Sequence, residues 1–210
     1  MSRGRFITFE GGEGTGKSTQ ARILADRLRA GGLDVVTTRE PGGSAGAEAL
    51  RRLLLEGEAD RWSAVSETLL MYAARADHLE KLIRPALDRG SWVISDRFLD
   101  STPAYQGAGG GAPAGLIAEL EQAVVGADRP DLTLILDVPV QLGLERALGR
   151  DSLDRIEAKD RQFHERLRAA FLDIAGKEPG RCAVVEASTG VEAVAAAVWN
   201  VVEARLKVKP

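Results

Sequence analysis

The sequence predicts an α/β fold in which helices cover both faces of one doubly wound, five-stranded parallel sheet. Five short apolar runs rich in β-branched residues are spread along the chain, and none alternates cleanly between apolar and polar positions. Such runs are typical of strands that are buried on both faces. Helical patterns lie between the runs, and this alternation predicts parallel βαβ units without a second domain.

The predicted strands are, in chain order, RFITFE (5–10), DVVTTR (34–39), SWVISD (91–96), LTLILD (132–137) and CAVVEA (182–187). Four helices between them have recognisable ends, because the first stops at a glycine pair and the others open at a serine or a proline. These helices are predicted from Lys17 to Ala30, from Ser44 to Leu55, from Ser63 or Ser66 to Ile83, and from Pro113 to near Gly126.

Two further segments are distinctive in composition. Gly107 to Gly111 (GAGGG) is rich in glycine, and we expect a flexible surface loop there. The stretch from Arg146 to Arg161 is dense in charge and poor in apolar residues. It is either a solvated helical face or a short mobile lid over residues 146–160.

Composition narrows the class of protein. The 210 residues are 44% hydrophobic and 28% charged, which suits one substantial core, and we predict a single domain over residues 1–210. A net charge of -3 provides no overall basic field, so a small anionic ligand is expected rather than nucleic acid. One cysteine, Cys182, excludes an internal disulfide. The start of the chain does not resemble a signal peptide and no stretch is apolar enough for a membrane helix, so we expect a cytoplasmic protein.

The firmest motif is a phosphate-binding loop at residues 11–18, which reads GGEGTGKS and lies between a predicted strand and a predicted helix. In such a loop, backbone N–H groups surround the β-phosphate, Lys17 reaches the β- and γ-phosphates, and the Ser18 hydroxyl binds Mg²⁺. The predicted ATP-binding residues are Gly11, Gly12, Glu13, Gly14, Thr15, Gly16, Lys17, Ser18 and Thr19.

The third predicted strand ends in an acid and an arginine, Asp96 and Arg97, at the edge where ligands bind in open α/β sheets. Adjacent strand residues point to opposite faces, so we expect Arg97 to face the crevice rather than to pair with Asp96. A GTP-dependent switch is not expected. The only asparagine, Asn200, is followed by valine, and no threonine precedes a lysine, so no guanine-reading segment is present.

The motifs EGGEGTGKST, REPGG (39–43), YAAR (72–75), DRFLDSTPAYQG (96–107), PDLTLILDV (130–138) and LDRIE (153–157) occur in this order. With this ordered set of motifs, the chain resembles bacterial thymidylate kinases, which are P-loop nucleoside monophosphate kinases. The resemblance implies a five-stranded parallel sheet, a homodimer, and transfer of the γ-phosphoryl group of Mg-ATP to dTMP. This transfer needs no covalent nucleophile, since the acceptor is already an anion. Neither His78 nor His164 lies in a motif.

The resemblance also assigns roles. Lys17, Arg97, Arg150 and Glu13 are the expected catalytic residues, with Glu13 on the acceptor side and Arg150 in the lid. Ser18 is the expected Mg²⁺ ligand and Asp96 a candidate contact through water, while whether Asp96 or Asp137 contacts the metal's water shell stays open. Arg75 reads a thymine carbonyl and Tyr105 packs below the sugar, where a ribose 2′-hydroxyl would collide. The expected acceptor-binding residues are Glu13, Arg39, Pro41, Met71, Arg75, Arg97, Ser101, Thr102, Tyr105 and Gln106.

The chain departs from the family pattern at several positions. Met71 replaces a phenylalanine that stacks on thymine, so the strictness of base selection is open. Gly14 replaces an arginine found in some members, and Leu148 another. Glu10 either satisfies buried backbone groups or has a further role. Two alternatives stay open: a kinase for another pyrimidine monophosphate, and an ATP-binding regulatory module, which would not need Lys17, Arg97 and Arg150 together.

Overall fold

The computed structural model describes residues 3–58, 60–148 and 159–208. Its centre is one sheet of five strands in the order β2-β3-β1-β4-β5, and all of the neighbouring pairs are parallel. The predicted α/β fold is confirmed, with strand bounds within one residue of those predicted. The strands are β1 (Phe6–Glu10), β2 (Val35–Arg39), β3 (Trp92–Asp96), β4 (Leu132–Asp137) and β5 (Cys182–Glu186).

The strand order places a crevice between β1 and β3. The chain leaves β1 toward β2 on one side, whereas it leaves β3 toward β4 on the other. Connections that diverge in this way open a crevice at the carboxyl ends of the two strands, where open α/β sheets bind ligands. Phe9 lies beside Asp96 in the register, so the phosphate loop that follows β1 adjoins the residues that follow β3.

Eight α-helices are present among the described residues, and they cover both faces of the sheet. Two π-helical segments, Leu79–Ile83 and Pro103–Gly109, accompany them; the first joins α3 to α4. The α-helices are α1 (Lys17–Ala30), α2 (Ala45–Leu55), α3 (Ala64–His78), α4 (Arg84–Asp88), α5 (Ala114–Val124), α6 (Val140–Leu148), α7 (Arg161–Lys177) and α8 (Val191–Leu206).

The helix ends follow the capping residues of the sequence. The Ser44 hydroxyl accepts a hydrogen bond from the Ala47 N–H at the start of α2. Of the two serines proposed for the next helix, Ser63 is the cap, since its hydroxyl accepts from the Ser66 N–H. Pro113 precedes α5, which ends at Val124. The sequence did not provide bounds for α6, α7 or α8.

The core consists of apolar layers on the two faces of the sheet. On one face, α1 and α8 pack on alternate strand residues such as Ile7, Phe9 and Leu134. On the other, Phe6 and Ile135 contact clusters from the remaining helices. All of β1 is buried, including Thr8 and Glu10, in agreement with the prediction of a strand covered on both faces.

The expectation of a flexible loop at Gly107 to Gly111 is wrong for its first three residues. Gly107 and Gly109 lie within the π-helical segment that ends at Gly109. A Cβ atom on Gly109 would lie 2.5 Å from Phe163 Cε2, and one on Gly107 would lie 3.2 Å from Ile117 Cδ1. The glycines therefore permit close packing against α5 and α7. A glycine-rich composition alone does not distinguish such a packed segment from a flexible loop.

Part of the proposed lid is described. Residues 146–148 are the end of α6, and the Asp160 side chain caps α7 by accepting from the Phe163 N–H. Residues 149–158, with Arg150 among them, lie outside the described residues. In the part of the chain that the structure describes, no helix has the length and apolar character needed to cross a membrane.

Candidate active site

The phosphate loop connects the buried strand β1 to the first turn of α1. Gly14 adopts a φ of 66°, and a Cβ atom there would lie 2.0 Å from the Gly143 carbonyl oxygen of α6. A left-handed φ and this close approach both require glycine. An arginine, which some family members carry at this position, would therefore displace α6 in this chain.

Lys17 is buried at the first position of α1 and turns back over the loop. Its Nζ donates to the carbonyl oxygens of Gly12 at 2.6 Å and Gly11 at 3.1 Å, and contacts Thr15 Oγ1 at 3.3 Å. Burial is the main cause that lowers the pKa of Lys17 to about 8, and the positive charge of Arg97 adds to it. An anion above the loop would reverse this shift, so the site favours a phosphate group.

Ser18 and Asp96 bring two oxygen-bearing side chains together beside the loop. The Ser18 hydroxyl donates to the Asp96 carboxylate. Asp137, the alternative acid, instead makes two bonds with Arg168 at 2.7 and 2.9 Å. No group of three or more His, Cys, Asp or Glu residues that could hold a metal occurs within residues 3–58, 60–148 and 159–208. Mg²⁺ in nucleotide sites uses few protein ligands and keeps several waters, so this sparse oxygen pair fits it.

The Glu13 side chain reaches from the phosphate loop to Arg97 and Tyr105. One of its oxygens, Oε1, accepts from Arg97 Nη2 at 2.7 Å and from the Tyr105 hydroxyl. Arg97 Nη1 also donates to the Gly11 carbonyl at 3.1 Å, and its guanidinium lies 4.8 Å from the centre of the Tyr105 ring. The carboxylate therefore neutralises an arginine at the crevice.

The position of Arg97 agrees with the expectation, but for another reason. Strand β3 ends at Asp96, so strand alternation does not orient Arg97. Its φ of 69° lies in the left-handed region, which non-glycine residues adopt rarely and mainly where surrounding contacts hold them. The contacts to Glu13 and Gly11 hold it toward the crevice.

Glu10 supports the loop that follows β3. It is fully buried, and its two oxygens accept from the Phe98 N–H at 2.8 Å and the Ser101 hydroxyl at 2.6 Å. Burial raises the pKa of the Glu10 carboxyl, and the nearby Asp100 carboxylate adds to the shift. Of the two readings left open, this geometry favours the structural one, and Ser101 supports the loop as the resemblance implies.

An open cavity of about 250 Å³ lies between the phosphate loop, α2, α3 and the loop after β3. It is also bordered by Gly16 to Thr19 at the start of α1. All of the residues that the resemblance assigns to the acceptor line it, namely Glu13, Arg39, Pro41, Met71, Arg75, Arg97, Ser101, Thr102, Tyr105 and Gln106. Sequence reasoning missed Glu40, Arg51 and Leu55, which also line the cavity.

Arg75 forms a buried wall of this cavity. Its Nη1 donates to Thr102 Oγ1 at 3.0 Å, its Nη2 donates to the Phe98 carbonyl at 2.9 Å, and its Nε donates to Glu40 at 2.8 Å. Of the five N–H donors of a guanidinium, these bonds use three, so others can serve a carbonyl ligand. The side chain is thus fixed before any ligand contacts it.

Two other cavity residues are engaged in pairs. Gln106 Nε2 donates to Glu67 at 2.9 Å. Arg39 Nη2 donates to Glu48 at 3.0 Å, although more than half of the arginine side chain is exposed. To bind an acceptor phosphate, Arg39 must either use its other N–H groups while it keeps the Glu48 contact, or release Glu48. The missed Arg51 donates to the Pro41 carbonyl at 2.7 Å and so holds the REPGG loop; no motif marks it in the sequence.

Comparisons with known proteins agree with the geometry. The thymidylate kinase family model matches residues 9–198. Thymidylate kinase of Caulobacter vibrioides is 62% identical over 206 residues, which cover 98% of this chain and 99% of that protein. The corresponding protein of Nitrobacter hamburgensis is 53% identical over 211 residues, covering 99% and 92%. A crystal structure of thymidylate kinase from Ehrlichia chaffeensis, 38% identical, superposes with a TM-score of 0.77 and covers 96% of this chain and 99% of that one. The chain therefore belongs to the thymidylate kinase family.

Proposed function

We propose that this chain transfers the γ-phosphoryl group of Mg-ATP directly to the 5′-phosphate of dTMP, giving dTDP and ADP. The observation that carries the proposal is the position of Arg97, which contacts the phosphate loop through Gly11 and lines the acceptor cavity. A guanidinium at this point lies between two phosphate sites and offsets the repulsion between them. Membership of the thymidylate kinase family supports ATP as donor and dTMP as acceptor.

Donor and acceptor sites adjoin in this fold. The start of α1 contributes Lys17 and Ser18 to the phosphate loop, and the same residues border the acceptor cavity. The transferred group therefore needs to move only between neighbouring anions. Because the acceptor is already an anion, positioning and charge stabilisation supply the catalysis without a covalent intermediate.

Each catalytic residue has a distinct role in the proposed reaction. Lys17 binds the β- and γ-phosphates, Arg97 binds the acceptor phosphate, and Arg150 completes the charge stabilisation from the lid. Glu13 orients Arg97 and accepts from the Tyr105 hydroxyl. Ser18 would hold Mg²⁺ directly, with Asp96 through water, and the metal would neutralise charge on the phosphates.

The far end of the cavity selects the nucleoside. Arg75 and Thr102 are joined by a hydrogen bond and present donors to the thymine edge, with Gln106 beside them. Met71 is half-buried next to the cavity, where its thioether would cover the base. Tyr105 lies against Phe163 and Phe171, with ring centres 6.2 Å apart in both cases. These contacts hold its ring in place, where it would pack below the sugar.

A coupled assay of ADP release with Mg-ATP and a panel of monophosphates tests the proposal. Turnover that is fastest with dTMP supports it, turnover that is fastest with another pyrimidine monophosphate identifies a different acceptor, and ATP binding without turnover supports a regulatory module. Lys17→Met is the control, because a contaminating kinase would survive in that preparation. The homodimer, the single domain over residues 1–210 and the cytoplasmic location stay predictions.

A further inference from the structure

His78, which lies outside every sequence motif, is joined to the acceptor cavity by a buried chain of hydrogen bonds. Its Nδ1 lies 3.0 Å from Glu40 Oε1, and its Nε2 lies 2.7 Å from Thr38 Oγ1. The second carboxylate oxygen, Glu40 Oε2, accepts from Arg75 Nε at 2.8 Å. His78 has no exposed surface, and Glu40 and Arg75 are 7% and 2% exposed. These hydrogen bonds therefore connect β2 to Arg75, which lines the acceptor cavity.

The spacing of the four residues explains why they meet. Thr38 lies in β2, and Glu40 directly follows that strand. The Glu40 N–H donates to the Asp96 carbonyl oxygen at 3.0 Å, so the pairing of β2 with β3 extends to Glu40, and Arg75 and His78 are three positions apart on α3. Residues two apart on a strand, and three apart on a helix, share a face. The loop after Glu40 encloses the ring, since a Cβ atom on Gly43 would lie 2.3 Å from His78 Nε2.

The hydrogen-bond partners fix which ring nitrogen carries the proton. An ionised carboxylate only accepts, so Nδ1 must donate to Glu40. The Thr38 hydroxyl can donate to Nε2, which leaves a neutral ring with both nitrogens satisfied.

We propose that His78 is a positioning residue for nucleoside recognition, which aims Arg75 at the base through Glu40. Without the His78 donor, one Glu40 oxygen loses its partner and the carboxylate can rotate away from Arg75 Nε. The remaining N–H groups of Arg75 would then be misaimed at a base carbonyl. Lys17 and Arg97 do not take part in this chain of contacts, so phosphoryl transfer itself is spared. The inference rests on the proposed function.

Two variants separate the two contacts of the ring. The amide nitrogen of asparagine occupies roughly the place of Nδ1, so His78→Asn retains the Glu40 contact. That of glutamine occupies roughly the place of Nε2, so His78→Gln retains only the Thr38 contact. Both replace the ring by a smaller amide, so a purely structural role predicts similar effects of the two variants.

The readout is the full set of kinetic constants. We expect His78→Gln to raise the KM of dTMP by about tenfold, because a hydrogen bond to a charged group is lost. Its kcat and its KM for ATP should stay within about threefold of wild type, as should all three constants of His78→Asn. dUMP carries the same ring carbonyls, so its KM should rise in parallel with that of dTMP. Equal KM values for dTMP in the two variants, or a loss confined to kcat, would overturn the inference.

A second measurement uses the wild-type protein and does not depend on variants that fold. The chain contains 2 histidines, so ¹⁵N NMR spectra of the imidazole rings are simple to assign. The inference requires a proton on Nδ1 of His78, and a neutral ring protonated at Nε2 alone would contradict it. Failure of the proposed function is seen separately, as wild-type protein that does not phosphorylate dTMP.

Discussion

Arg97 and Glu13 form an ion pair of 2.7 Å between the loop after β3 and the phosphate loop. The pair explains why an acid occurs within a loop that binds polyphosphate. The Glu13 carboxylate accepts hydrogen bonds from the neighbouring arginine and tyrosine. Glu13 thereby holds a guanidinium at the point where the donor and acceptor phosphates would meet.

Replacement of Arg97 tests this role. We expect Arg97→Met to lower kcat by a factor on the order of 10³, since the charge between the phosphates is lost. Arg97→Lys should recover part of the rate, because it restores the charge without the planar fork of donors. Steady-state kinetics with saturating dTMP measure both. A kcat for Arg97→Met within about threefold of wild type would contradict the assignment.

Arg150 lies outside the described residues, and its role rests on the resemblance. If it stabilises the transition state from the lid, Arg150→Ala should lower kcat on the order of 10³-fold and leave the affinity for dTMP nearly unchanged. Arg161→Ala is the matched control, since that exposed arginine pairs locally, with Glu165 at 3.0 Å. A normal kcat in Arg150→Ala, or an equal loss in both variants, would reject the role.

Tyr105 is predicted to exclude a ribose. Tyr105→Ala removes the ring that packs against Phe163 and Phe171, so the ratio of kcat/KM for the ribose counterpart to that for dTMP should rise by about tenfold. Tyr105→Phe keeps the ring and loses only the hydroxyl bond to Glu13, so its ratio should match wild type. The ratio cancels any general loss of activity. An unchanged ratio in Tyr105→Ala would refute the steric explanation.

Lys17 is expected to couple ATP binding to the uptake of protons. Burial, together with the charge of Arg97, lowers its pKa to about 8, so the amine of the ATP-free protein loses its proton above that pH. The phosphates of ATP favour the charged amine and raise this pKa, so binding takes up protons and weakens as pH rises through about 8. Calorimetry near pH 8.5, in two buffers of different ionisation enthalpy, measures the uptake. Lys17→Met should remove it. Equal proton uptake in both proteins would show that another group is responsible.

The fold and the chemistry of the phosphate loop could be predicted from the sequence more completely than the contacts between distant side chains. Nearly continuous apolar runs such as 132–137 identify strands covered on both faces, because burial on both faces leaves no regular polar alternation. The phosphate loop is identified by a local pattern of glycines, lysine and serine, each needed for a physical reason. The ordered motifs then indicated the residues expected to bind the acceptor, all of which line one cavity.

Contacts between distant residues could not be predicted in the same way. Glu40 pairs with His78 across 38 positions and Asp100 with Arg181 across 81. Such pairs depend on which helix face meets which strand end, and no local pattern encodes that choice. The same limit explains the error at Gly107 to Gly109, where packing against Ile117 and Phe163 overrides the loop propensity of glycine.

The Asp100–Arg181 pair provides a test of stability. Asp100 is 1% exposed, and Arg181 binds both of its oxygens at 2.7 Å and also donates to Thr133. Arg181→Met would leave a buried carboxylate without its guanidinium, so we expect a loss of about 3–5 kcal/mol in the free energy of unfolding. Lys177→Met, which breaks an exposed pair with Asp173, should cost less than about 1 kcal/mol. Urea denaturation compares the two, and equal losses would contradict the importance of the buried pair.

The most direct test follows the transferred group itself. Wild-type protein is incubated with magnesium, dTMP and ATP labelled in the γ-phosphoryl group, and the products are separated. Direct transfer between adjoining sites predicts that the label leaves ATP and appears in dTDP, with one ADP formed for each dTDP. Label found only in inorganic phosphate, or remaining in ATP, would contradict the account.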